Sequence, residues 1–249
     1  VFYIFSNLFI DEFWSIGELN TQFYLNFGVK KKNIKTIPSS QINKEFVFKD
    51  IETYKINRLE LMNKHSEIKD KKIILYPGKF LKKKRPMFLI EAFLDAKIDK
   101  DWILVMVGGG GFYHKTVTDY LKKNKPRNIF FFGFKDLKEI LILYDLSEIV
   151  VLPSDYGETN GNVLLECSQF NCCCIASDRV GAYPEIQKYE TGLIFEASKK
   201  IDLTEKIERL AKNSNLRTKL KENNLKFSKI IQPSFAADEI NKILINHVL

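Results

Sequence analysis

From residue 73 onward, short apolar runs alternate with longer stretches in which apolar residues recur every three or four positions. The runs at 73–76, 102–107, 129–132, 149–152, 172–176 and 193–195 are mostly apolar throughout, as strands covered on both faces must be. The stretches at 86–96, 113–123, 136–144 and 161–170 carry helical spacing, and Pro86 stands where a first-turn proline would. Strands alternating with helices predict parallel strands joined by crossover helices. The expected fold class is therefore α/β, with six strands in a doubly wound parallel sheet.

The flanks read differently. Residues 13–16, then Gly17 and the helical pattern 18–27, predict one strand and one helix from a preceding unit, followed by a polar connector through Pro38 and Ser39. The mostly charged stretch 43–72 is expected to pack on the outside. Helical patterns at 201–212, 216–230 and 235–249 are broken at Asn213, Ser214 and Pro233. No internal repeat is visible. Val1 stands where an initiator methionine should be, so the beginning is read as truncated.

Composition narrows the class. With 45% hydrophobic and 28% charged residues, the chain of 249 lies in the globular range. Its apolar runs are far shorter than the roughly 20 residues of a membrane span. The net charge of +8 favours anionic partners, but lysine is spread over the whole chain, so composition explains most of it. Nucleic acid is not an expected partner, because no basic cluster with aromatics or known reading motif occurs. Cys167, Cys172, Cys173 and Cys174 lack zinc-site spacing and read as reduced core residues of a cytoplasmic protein.

Ligands of open parallel sheets bind beyond the carboxyl ends of the strands, which directs attention to three loops. The first runs from Pro77 and Gly78 through Lys79, Lys82, Lys83, Lys84 and Arg85 to Pro86. It offers a glycine for close approach and several cations for a pyrophosphate, and would otherwise be a solvated basic loop. The second, Ser154 to Glu166, contains Glu158, Asn160, Gly161 and Asn162 before a predicted helix. Free amides at that helix start could hold a phosphate. Glu166 would sit about five residues into the helix, roughly 7.5 Å along its axis. Carboxylates accept from hydroxyls, so Glu166 could take a ribose diol and Glu158 a sugar hydroxyl; simple solvent exposure is the alternative. The third loop, Ser177 to Glu185, could approach the same ligand or be an ordinary glycine turn.

These residues resemble the second domain of glycosyltransferase family 4, enzymes of the GT-B fold. The likeness runs from about Phe13 to the final helices: Gly78 to Lys84, VMVGGGG, NIFFFGF, VLPSDYGETNGN, the pair Glu158 and Glu166, and SDRVGAYPEI. It implies a Rossmann-like C-terminal half of a two-domain enzyme, divided as residues 1–34 (remnant of the N-terminal acceptor domain and linker), 35–232 (donor-binding domain) and 233–249 (helix returning towards the first domain). It also implies a nucleoside-diphosphate-sugar donor, transfer with retention to an acceptor hydroxyl, and neither cofactor nor metal. Lys79, Lys84 and Glu158 then match the catalytic positions. Gly78, Phe134, Asn160, Gly161, Asn162 and Glu166 match donor-binding ones, with Phe134 at the base and Glu166 at the ribose. By family habit the acceptor is a glycan or a lipid-linked molecule in cell-surface polysaccharide or glycolipid assembly, with room for peripheral membrane association. The chain alone is expected to bind donor without transferring sugar.

The pattern departs from the family at Lys79, where arginine is usual and a planar two-pronged grip becomes a point charge, and after Glu166, where Cys167 to Asn171 replace small residues. A non-catalytic sugar-nucleotide-binding module and a sugar-nucleotide epimerase are the alternatives. Asp99-Lys100-Asp101 matches a metal-binding spacing but precedes a strand, at the wrong end of the sheet. The glycines 108–111 lack the third glycine of a dinucleotide fingerprint, since Tyr113 occupies that position. His65, His114 and His247 form no ligand or triad pattern and read as surface or packing residues.

Overall fold

The alternation seen in the sequence becomes a six-stranded, all-parallel sheet in the computed structural model, which describes residues 9–40, 47, 48 and 50–248 and side chains through residue 245. The strands are β3 (Lys72–Gly78), β4 (Trp102–Gly108), β5 (Ile129–Phe131), β6 (Ser147–Leu152), β7 (Cys173–Ser177) and β8 (Gly192–Phe195), in the order β5-β4-β3-β6-β7-β8. Between β3 and β6 the strand order reverses, which is the switch point where a doubly wound sheet opens its crevice.

Both faces of the sheet are dry because successive side chains point to opposite sides. Ile73, Leu75, Val105, Val150, Leu152 and Cys174 bury against α5 (Leu137–Leu146) through Leu141, Ile142 and Tyr144. Ile74, Tyr76, Leu104, Val151 and Ile175 bury against α3 (Pro86–Asp95) and α8 (Lys200–Lys212). Each such side chain contributes about 1.5–3 kcal/mol when fully buried. All four cysteines are buried and unpaired.

Element boundaries moved where local chemistry intervened. Helix α6 (Asn162–Cys167) has six residues, shorter than the expected 161–170. Its continuation is diverted when the Ser168 hydroxyl donates to the Leu165 carbonyl at 2.6 Å and Phe170 closes a tighter turn on Cys167. Helix α5 runs straight into β6 with no intervening loop. Helix α4 (His114–Asn124) joins β4 to β5 as expected, whereas α7 (Tyr183–Lys188) begins inside the stretch Ser177 to Glu185, expected as a loop, and completes the last crossover.

The connector expected before Pro38 contains a strand. β1 (Phe13–Ser15) pairs in parallel with β2 (Ile34–Thr36) through the crossover helix α1 (Glu18–Asn26), forming a separate two-stranded sheet. Ile-Lys-Thr among lysines shows no alternation that would mark it. Helix α2 (Ile51–Lys64) packs outside the sheet, as expected of 43–72, and carries Leu61 into the core beside Phe48 and Ile68. Residues 43–46 and 49 of that stretch lie outside the described residues. Helices α9 (Ser214–Ser228) and α10 (Pro233–Val248) close the chain. Asn213 caps α9 by accepting from the Leu216 amide at 2.9 Å. No described helix is long and apolar enough to cross a membrane.

Candidate active site

The loops at the carboxyl edge are drawn together by backbone contacts. The amide of Gly109 donates to the Gly78 carbonyl at 3.2 Å, that of Gly108 to Gly133 at 2.8 Å, and that of Phe80 to Gly110 at 3.2 Å. Gly108 is required there: a Cβ would lie 2.3 Å from the Gly78 oxygen, and its φ of 106° is a glycine conformation. The loops after β3, β4 and β5 therefore form one floor.

On that floor the basic loop is held from below by a residue the sequence reading did not single out. The single hydroxyl proton of buried Tyr76 is shared between the carbonyls of Lys79 at 3.1 Å and Lys84 at 3.4 Å, in reach of both. Burial, and secondarily the Glu158 charge, push its pKa well up, so it remains a donor. A tyrosine in an otherwise aliphatic strand was the available signal.

Lys84 and Glu158, 74 residues apart, meet in an ion pair. Their loops are joined twice more: Lys83 Nζ donates to the Gly157 carbonyl at 3.0 Å, and the Asp155 amide to the Lys83 carbonyl at 2.8 Å. Ser154 Oγ stands 3.4 Å from the same Glu158 oxygen. Glu158 also forms a backbone bridge to Val180, while the Gly181 amide donates to its carbonyl at 2.8 Å. Lys79 is exposed and Phe134 is 84% exposed on its loop after Gly133.

The remaining predicted residues are distributed around this pair. Gly161 caps α6 in the left-handed conformation, φ 78°, where a Cβ would lie 2.6 Å from Val180. With six residues, α6 offers fewer aligned peptide dipoles than the longer helix expected. Asn160 is turned towards the amino-terminal segment: its Nδ2 donates to Ser39 Oγ and Asn162 Oδ1, both at 2.7 Å. Glu166 is half-buried and accepts a 2.8 Å hydrogen bond from Tyr144, whose own pKa is raised by burial and by that carboxylate. The third loop sends its carboxylate elsewhere. Glu185 Oε1 accepts from the Glu18 amide at 2.8 Å, at the start of α1, and its Oε2 is buried without a hydrogen-bond partner. A cleft of about 400 Å³ opens beside it, lined by Ile16, Asn20, Thr159, Asn160 and Lys188 among others.

The signals set aside in the sequence have local roles. Asp101 pairs with Lys72 at 2.7 Å at the amino edge of the sheet. His114 accepts from the Gly110 amide at 3.1 Å, and His65 stacks on Phe132 with ring centroids 3.7 Å apart. The His247 side chain lies outside the described residues.

Residues 57–227 match the family model described as Glycosyl transferases group 1, well over half the chain. The chain belongs to this family. Among curated relatives it is 28% identical over 177 residues to the alpha-D-kanosaminyltransferase of Streptomyces kanamyceticus, covering 71% of this chain and 45% of that protein. It is 26% identical over 208 residues to the N-acetyl-alpha-D-glucosaminyl L-malate synthase of Bacillus anthracis, covering 77% and 54%. The chain thus spans about half the length of the curated relatives it matches. A glycosyltransferase from Rickettsia africae superposes with a TM-score of 0.78 at 19% identity, over 97% of this chain and 65% of that one. Anabaena HepE, solved with UDP-glucose, superposes at 0.77 with 14% identity, over 98% and 66%. At such identities the likeness establishes the fold, a Rossmann-like doubly wound sheet shared with known glycosyltransferases.

Proposed function

We propose that the chain is the donor-binding part of a retaining glycosyltransferase that moves a sugar from a nucleoside diphosphate to an acceptor hydroxyl. The observation that carries this reading is the Lys84–Glu158 pair at the switch point of the sheet, anchored by Tyr76, Ser154 and Lys83. An ammonium has three donors, so Lys84 can keep Glu158 and still meet a phosphate oxygen. As the glycosidic bond breaks, the leaving diphosphate gathers negative charge. Lys84, held by Glu158, is a preorganised cation for it and exposed Lys79 a second cation nearby in sequence, while Glu158 faces the reacting sugar and Glu166 the ribose. Phe134 cradles the base, and Gly78, Asn160, Gly161 and Asn162 shape the floor under the phosphates and sugar. The acceptor hydroxyl attacks the face from which the diphosphate leaves and gives its proton to the departing phosphate oxygen, so no protein nucleophile is required; the lysines compensate the diphosphate charge in place of a metal.

Residues 1–34 are the remnant of an acceptor domain, 35–232 the donor domain and 233–249 a returning helix; the two-stranded sheet of β1 and β2, which runs on past that first boundary to Thr36, supports an amino-terminal unit apart from the six-stranded sheet. The acceptor is a glycan or lipid-linked molecule, met on the cytoplasmic side during cell-surface assembly. UDP is the first donor nucleotide to try, because HepE was solved with UDP and with UDP-glucose. Calorimetry with UDP and GDP, followed by product analysis with the corresponding sugar donors, tests the reading. Saturable binding and a transferred sugar support it. Binding without chemistry favours a non-catalytic module, an epimerised sugar nucleotide favours an epimerase, and no binding of any nucleoside diphosphate removes the reading.

A further inference from the structure

Four described residues other than glycine have a positive φ: Asp70, Arg85, Lys125 and Glu190. Three of them lie just ahead of strands, on the amino side of the sheet. Arg85 alone of the four follows a strand and stands at the carboxyl edge, next to Lys84, with φ 50° and ψ 49°. That left-handed backbone is disfavoured for any residue carrying a Cβ, and Pro86 steers its predecessor away from the right-handed helical region. Held conformations of this kind persist only where surrounding contacts enforce them.

Backbone bonds hold the turn from within, the Arg85 amide donating to the Lys82 carbonyl at 3.1 Å and the Leu89 amide to the Arg85 carbonyl at 3.2 Å, and the guanidinium adds contacts from outside it. Arg85 Nη1 donates to the carbonyl of Ala197, beyond β8, while its Cζ lies 3.4 Å from the centroid of the Phe88 ring. Phe88 in turn stacks on Phe195, with centroids 6.3 Å apart. The Ala197 amide donates to Asp178 Oδ1 at 2.9 Å, and the Asp178 amide to the Phe195 carbonyl at 2.9 Å. One side chain thus ties the loop after β3 to the loops after β7 and β8. Lys84 sits between two anchors, the Tyr76 hydroxyl on its carbonyl and the Arg85 clasp on its carboxyl side.

We infer that Arg85 is a positioning residue: its clasp to Ala197 and Phe88 holds the left-handed turn that aims Lys84 at Glu158 and so at a donor diphosphate. The inference rests on the donor-site reading above. An arginine suits the task because its planar fork stacks on an aromatic ring while donating a hydrogen bond. A glycine would adopt the same turn without strain and would leave Lys84 unclasped.

The test titrates UDP calorimetrically into the parent chain and the variants Arg85→Gly, Arg85→Lys and Asp178→Ala, with melting temperatures taken without UDP. Arg85→Gly should melt at or above the parent temperature, yet bind UDP roughly tenfold more weakly, the scale of loss when a group orienting a ligand-binding residue is removed. Arg85→Lys, which can still donate to the Ala197 carbonyl, should recover part of the affinity. Asp178→Ala keeps the Arg85 charge and loosens the same clasp, so it should reproduce a smaller version of the loss. Parent-like affinity in Arg85→Gly overturns the inference, as does parent-like affinity in Asp178→Ala alongside a loss in Arg85→Gly, which would mark direct phosphate contact. Melting and affinity falling in step across the variants would reduce Arg85 to a structural role and overturn it too. A parent chain that binds no nucleoside diphosphate overturns the donor reading and the inference with it, whereas a parent that binds UDP no better than Arg85→Gly does overturns the inference alone.

Discussion

The buried hydroxyl of Tyr144 donates a 2.8 Å hydrogen bond to Oε2 of Glu166, so the carboxylate proposed for the ribose is oriented from inside the fold. Tyr144→Phe keeps the ring and removes only this bond. A hydrogen bond to a charged group is worth about 1.5–3 kcal/mol, so denaturant melts should show a stability loss of that order. UDP affinity should fall several-fold as Glu166 loses its fixed rotamer; an unchanged dissociation constant would separate Glu166 from the nucleotide.

Lys84 and Glu158 should matter for rate more than for fold. In the complete enzyme, Lys84→Met and Glu158→Gln should each lower kcat by about 10²–10³, the usual loss for one charge-stabilising contact. Steady-state kinetics checks this. Glu166→Ala should act mainly on donor KM, and near-normal kinetics in all three variants would unseat the site.

UDP should raise the melting temperature in EDTA as much as in magnesium, because lysines compensate the diphosphate in the proposed site. At a UDP concentration 100 times the dissociation constant the gain is about 2.7 kcal/mol. Stabilisation that appears only with added divalent cation would contradict the metal-free mechanism.

The site's floor depends on a missing side chain. Gly108→Ala places a Cβ 2.3 Å from the Gly78 carbonyl oxygen at φ 106°, and should cost about 2–4 kcal/mol. Gly110, also left-handed but with open space around its Cβ position, should tolerate alanine at the cost of backbone strain alone, about 1–2 kcal/mol. Equal melting of the two variants would show that the close approach of β3 and β4 is not what demands glycine.

Stability should be greatest between about pH 6.5 and 9. Burial, with Lys135 adding to it, holds His65 below its ordinary value of 6.5, against the opposite pull of Glu67. A depressed histidine contributes stability above its unfolded pKa that is lost as pH falls through the folded one. At the other end, burial raises Tyr76 and Tyr144 well above 10 and pushes Cys174 from 9.0 to about 12. Stability from raised groups is full below their unfolded values and is lost as pH rises through the folded ones. Denaturant melts across pH should show both limbs, and His65→Gln should flatten the acid one.

Local patterning alone was enough to read the six strands, four of the five crossover helices, the class and the loops that carry Gly78 to Lys84 and Glu158 to Glu166; the six residues of α7 are too few to repeat a helical period. Burial on both faces forces continuous apolar runs, and helical spacing repeats within a dozen residues, so both signals are contained in short windows. The strand at 34–36 escaped because three residues among lysines make no period. What the tertiary structure decided was the choice of partners. β3 lies beside β6 in the sheet, and that order, which no local window encodes, brings Lys84 to Glu158 across 74 residues. The same closure gives Tyr144 to Glu166, turns Glu185 to the Glu18 amide 167 residues away, and carries the Arg85 guanidinium to Ala197 across 112. A charge or hydroxyl in the sequence states only its chemistry; which neighbour satisfies it depends on chain segments that meet once the sheet has closed.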